Sequence, residues 1–227
     1  MTRRIQTPSD VLAQPGRGMN VETKTKIAKL LALAIFLSGF ATVTAWLFKA
    51  AYLMAVFPCW IPMKFDTAIG FILCGIILYF IARSIGGDFD VAQVALAITT
   101  LAMIMLMGTL FFSDLLEIHT GLEELFIKDY HHSGDSPVPG RPPLMTVVNF
   151  ILIAAAGIMN MFNTVKLRLI MKLIGLAVAA IGALALAGHC FNAPVLYFAT
   201  GGLSSAMAAS SAALFVLSGM GLICLSD

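Results

Sequence analysis

The chain has 227 residues, of which 59% are hydrophobic and 11% charged, and its formal net charge is +2. A soluble domain carries roughly 25% charged residues, so this composition excludes an ordinary water-soluble protein. The small net charge gives no basic surface for nucleic acid, and membrane lipid is the expected solvent for most of the chain.

Residues 1–26 are polar and contain Pro8, Pro15, Gly16 and Gly18, a mixture that predicts a flexible cytoplasmic tail. Beyond it, a bilayer core of about 30 Å needs roughly 20 apolar residues per helix. Five spans meet that need and a sixth does so when its small residues are counted, near Ile27–Lys49, Phe65–Arg83, Val91–Ser113, Met145–Phe162, Leu169–Ala187 and Ala206–Leu225. None alternates as a barrel strand does, so the predicted fold is an all-α membrane domain over residues 27–227. No cleavable signal peptide is visible, and the first span reads as a signal anchor.

The first outer segment carries Tyr52, Phe57, Pro58, Trp60 and Pro62; the prolines end any helix, and Trp60 stands where an interfacial aromatic belongs. On the third span Met103, Met105 and Met107 are the residue type that suits copper(I), but spacing by two spreads them around a helix, and core packing is the expected role. The loop from Asp114 to Arg141 is acidic and contains His119, His131 and His132. Its first part, 114–126, has leucines at helical spacing and predicts a short interfacial helix. Glu117, His119, His131 and His132, with Trp60 and Tyr197 of the other outer segments, form the candidate ligand site. They show no fixed metal-ligand spacing, so neither a metal nor a cofactor is expected.

On the fourth span Asn149 is predicted to face the bundle interior and bond across helices, while Asn160 is expected to reach the membrane interface. The third outer segment, His189 to Phe198, is apolar and aromatic, and Asn192 and Pro194 stop the fifth helix there. His189 lacks a second histidine at its depth for haem ligation. Cys59 and Cys190 both fall in outer segments, where a disulfide is geometrically possible, although a free thiol is the expected state.

Basic residues mark the cytoplasmic side. Arg3, Arg4, Arg17, Lys24 and Lys26 precede the first span, Arg83 ends the second, and Lys166, Arg168 and Lys172 fill the turn before the fifth. Both termini are therefore expected in the cytoplasm.

A short phrase opens each return span. Met63, Thr67, Ala68, Phe71, Leu73 and Gly75 form the first copy, and Met207, Ser211, Ala212, Phe215, Leu217 and Gly219 the last. Between them Thr146, Val147, Phe150, Leu152 and Ala154 keep the spacing, with Pro142 in place of Met. Repetition of this kind predicts one unit used again, here as three tandem helical hairpins over 27–83, 91–162 and 169–225. In each copy the hydroxyl can cap a helix start or bond across helices and the Phe stands as a knob, while in the first and last copies Ala68, Gly75, Ala212 and Gly219 let backbones approach.

The string from Pro62 to Gly75, Pro139-Gly-Arg141 before the second return span, and Ala193 to Tyr197 leading into Met207–Ala213 together resemble the N-terminal multi-pass membrane region of bacterial sensor histidine kinases and diguanylate cyclases. The likeness runs from about Ile27 onward. It implies a signal-input or anchoring region of the bacterial inner membrane, possible oligomerisation, and output through a protein partner in the membrane or the cytoplasm. Nothing in the sequence resembles a phosphoacceptor helix, an ATP lid, a cyclase signature or a PAS module. No catalytic motif is present either, so a non-catalytic role is expected, with a structural or assembly subunit of a bioenergetic membrane complex as the alternative. A carrier is disfavoured, since the predicted span centres lack ionisable groups.

Overall fold

A computed structural model of the chain describes residues 15–48, 62–86, 89–116, 142–162, 166–197 and 206–226. Its helices are α1 (Pro15–Leu47), α2 (Phe65–Ile85), α3 (Phe89–Leu115), α4 (Leu144–Met161), α5 (Leu167–Cys190) and α6 (Ala209–Ser226), with a 3-10 turn over Pro194–Leu196. All six are long and apolar enough to cross a membrane, and no strand occurs among the described residues.

The helix starts follow elementary rules. Pro143 directly precedes α4, and Pro15 opens α1, where a missing N–H costs nothing because the first helical N–H groups have no intrahelical acceptor. The polar tail expected to be flexible through residue 26 is thus helical from Pro15. Gly16 and Gly18 lie in the first turn, where they weaken the helix least, and Glu22 pairs with Lys26 at 2.7 Å one turn apart.

Burial divides the helices into two sets. About half or more of each membrane window in α2, α4 and α6 is buried, at 56%, 50% and 61%, against 28% in each of α1, α3 and α5. The inner set is therefore α2, α4 and α6, and the outer set presents leucines such as Leu30, Leu101 and Leu173 to the surroundings. In a bilayer those side chains meet acyl chains and need no protein cover. Each outer helix packs most closely on the inner helix that follows it, and α2–α3, α4–α5 and α6–α1 seams close the ring.

Cross-helix contacts give the directions. Phe71 meets Phe215, Cys74 Sγ lies 3.4 Å from Ser218 Oγ, and Gly221 faces Leu78, so α2 and α6 run parallel. Phe71 meets Phe150, Ile77 lies against Gly157, and Asn160 donates to Ser84 Oγ at 3.2 Å, so α4 is parallel to α2 as well. The outer helices run the other way. Gly39 of α1 sits on Ala68 and Ile72, and Gly75 sits on Ala32 and Phe36. In α5 and α6 the same pattern recurs, with Gly182 on Ala212 and Phe215, and Gly175 on Gly219.

These glycines are required by distance. A Cβ on Gly75 would lie 2.7 Å from the Ala32 carbonyl oxygen, and one on Gly219 would lie 2.5 Å from that of Gly175. In lipid, helix association depends on such close van der Waals packing, because burying apolar surface gains nothing over acyl chains.

Candidate functional site

The site is built at the end of the bundle where α2, α4 and α6 begin, here termed the entry end. Its floor is aromatic. Phe71, Phe150 and Phe215, one from each copy of the phrase, are fully buried and meet pairwise at ring-centroid distances of 4.9, 4.8 and 4.9 Å. Phe150 meets Phe71 and Phe215 at 70° and 61°, edge against face as the ring quadrupole favours, and Phe71 and Phe215 are tilted at 49°. Gly70 makes room for this cluster, since a Cβ there would lie 2.7 Å from the Phe150 ring and from the Met107 methyl.

One helical turn toward the entry end stand Thr67, Thr146 and Ser211, four residues before each Phe and so on the same helix face. All three are buried, as are Asp66, Met63, Met207, Pro142 and Pro143 around them. A layer of hydroxyls therefore overlies the aromatic floor. The second copy adds Asn149, at the place where the first has Gly70 and the third Leu214. Asn149 is 0% exposed, as its expected interior position requires, but neither of its amide atoms has a hydrogen-bond partner. The expected bond across helices is absent. Thr146 Oγ1 likewise has none. Of the inner pairs, α4 and α6 approach least closely.

The entry end is fastened to the outer helices by side-chain clamps. Trp46, near the end of α1, donates its indole N–H to the Met63 carbonyl at 2.9 Å. His189, at the end of α5, donates from Nε2 to the Met207 carbonyl at 2.8 Å. These two carbonyls belong to corresponding Met residues of the phrase. The His189 ring is also stacked on Tyr197 at 4.2 Å and 10°, and the Met207 N–H donates to the Tyr197 carbonyl at 3.1 Å. Asn192 takes a φ of 51°, a left-handed turn that Asn tolerates, and the chain reverses there so that Tyr197 reaches His189.

Of the predicted ligand residues, Tyr197 lies in this site. Trp60, Glu117, His119, His131 and His132 lie outside the described residues, as do the rest of the expected interfacial helix beyond Leu116 and Cys59. Met103 and Met107 are buried in the core, whereas Met105 is 61% exposed; spacing by two turns the middle residue outward. Asn160, near the end of α4, is buried and donates to Ser84 Oγ at the corresponding end of α2. Among the described residues no group of three or more His, Cys, Asp and Glu is placed to hold a metal ion.

Several contributors lie outside the repeated phrase. Gly39, Gly175 and Gly182 are on helices that carry no copy of the phrase, although the intervals Ala32–Gly39 and Gly175–Gly182 match Ala68–Gly75 and Ala212–Gly219. Trp46 and His189 precede their Met partners by 17 and 18 residues, a near-constant spacing that was the available signal.

Six apolar helices of spanning length, packed around a buried centre, define a multi-pass membrane protein. No family model matches the chain, and no match was found among curated proteins or solved structures.

Proposed function

We propose that the chain is a non-catalytic signal-input module of a bacterial inner membrane, made of three tandem helical hairpins with both termini in the cytoplasm, acting through a protein partner. The observation that carries this reading is the convergence of three copies of one phrase on a single aromatic floor, under a polar entry end that is tied to the ends of α1 and α5.

The physical logic is that of a shared pivot. A molecule that binds the outer segments better in one packing arrangement than in another shifts the population toward that arrangement. Displacement of Met63 or Met207 through its clamp moves the start of α2 or α6. Because Phe71, Phe150 and Phe215 touch one another, a moved helix displaces its two neighbours, and parallel helices carry the shift to the far membrane face together. The candidate outer-loop residues Trp60, Glu117, His119, His131, His132 and Tyr197 remain the proposed place of input, with no cofactor assigned.

The test is extraction of the tagged chain from its native membrane in mild detergent, followed by mass determination and identification of co-purifying proteins. The reading expects a signalling partner such as a kinase or cyclase. Fixed stoichiometry with a large bioenergetic complex would replace it with a structural or assembly subunit.

A further inference from the structure

We propose that the seam between α1 and α2 holds an anionic glycerophospholipid, drawn from the leaflet at the end of the bundle opposite the entry end. The seat is a groove of about 610 Å³ on the outer surface of the pair. Its lining is apolar except at one end, where Lys26 and Lys29 stand.

The groove exists because α1 and α2 touch backbone to backbone at Gly75 while large side chains stand on either side. With Gly75 pressed against Ala32 and Phe36, the floor lacks side-chain bulk, and Leu33, Phe36 and Phe80 form the walls. Lys26, Lys29, Leu33 and Phe36 follow one another at helical spacing, so the same face of α1 passes from cationic to apolar. From Lys26 to Phe36 the rise is about 15 Å, the depth from a headgroup region into half of a hydrocarbon core. Tyr79, partly exposed and edge-on to Phe80 at 5.5 Å, lines the groove from α2.

Charge decides the occupant. Any lipid can lay an acyl chain in an apolar groove, but two ammonium groups at its mouth favour one whose headgroup bears net negative charge. Lys29 is half-buried and lines the groove, and a lysine so placed can keep its stem on apolar surface while its ammonium reaches water. Lys26 is paired with Glu22 at 2.7 Å, but both side chains are largely exposed, and such a pair is weak enough for a phosphodiester to compete with it. At the same end of the bundle, Lys166 and Lys172 flank the start of α5 and are not part of this groove.

The experiment is native mass spectrometry of the full chain in mild detergent, titrated with dioleoylphosphatidylglycerol or dioleoylphosphatidylcholine. The expected result is a one-lipid adduct favouring the anionic lipid about tenfold or more, since each lysine near the surface contributes about fivefold. The double variant Lys26→Gln/Lys29→Gln is expected to bind both lipids equally, and Lys166→Gln/Lys172→Gln to keep the preference. Ile76→Trp, which fills the groove without touching the lysines, is expected to weaken both adducts. No preference in the wild type, a preference that survives loss of Lys26 and Lys29, equal loss in the Lys166/Lys172 variant, or undiminished binding by Ile76→Trp would each overturn the proposal.

Discussion

Asn149 combines full burial with an amide that bonds to nothing, a state that costs about 1–3 kcal/mol for each unmet polar group. Asn149→Leu, which copies the residue at the corresponding place in α6, is therefore expected to raise the midpoint of thermal unfolding in detergent. A fall equivalent to about 1 kcal/mol or more would instead reveal a partner for the amide. The aromatic floor makes the opposite forecast. Phe215→Ala removes a fully buried ring and is expected to cost about 3–5 kcal/mol. In a double-mutant cycle, Phe71→Leu and Phe215→Leu should show a coupling of about 1 kcal/mol, because the two rings touch; strict additivity would mean that the rings do not meet. That Asn149 faces inward was legible from a polar residue inside an apolar span. Its want of a partner was not, because that depends on which side chains two other helices bring to it.

Among elements, the informative contrast is between glycines that a neighbouring backbone presses upon and glycines that face open space. Gly75→Ala and Gly219→Ala would push a Cβ to within 2.7 and 2.5 Å of a carbonyl oxygen on the partner helix, so each is expected to separate its helix pair and lower stability by about 2 kcal/mol or more. Gly108→Ala meets nothing within 4 Å and is expected to be neutral or stabilising by up to about 1 kcal/mol through helix propensity. Thermal unfolding of the three variants side by side checks the contrast; equal effects would contradict the packing. The existence and extent of the helices were readable from apolar length, and α2 begins at Phe65, where the sequence places it. The start of α1 was not, since the prolines and glycines that suggest a flexible segment are also tolerated in a first helical turn. The phrase on the inner helices was visible as a phrase. Its counterpart on α1 and α5 is only a pair of small residues seven apart, which is common in apolar sequences and acquires meaning through the backbone it faces.

For the whole molecule, the account depends on α2, α4 and α6 running in one direction around a common centre, so that a disturbance at the entry end reaches the opposite end through parallel rods. The three ring contacts fix one level of that arrangement; Cys74 with Ser218, and Ser84 with Asn160, fix two others farther along. None of these cross-helix pairs could be read from one sequence, because spacing along a chain carries no register between chain segments. The degenerate middle copy is the exception in kind: its Pro142, Val147 and Ala154 mark α4 in the sequence as unlike its neighbours, and the α4–α6 pair is the least closely packed of the inner pairs.

The most direct measurement is oxidative cross-linking in the membrane with Cys59, Cys190 and Cys224 replaced by Ala. Native Cys74 is paired with Ser218→Cys, and, in a second variant that also carries Cys74→Ala, Ser84→Cys is paired with Asn160→Cys; products are mapped by mass spectrometry after proteolysis. The account predicts an intramolecular disulfide in both variants, joining α2 to α6 in one and to α4 in the other. Failure of both pairs to form, or links found only between separate chains, would contradict a parallel inner triad.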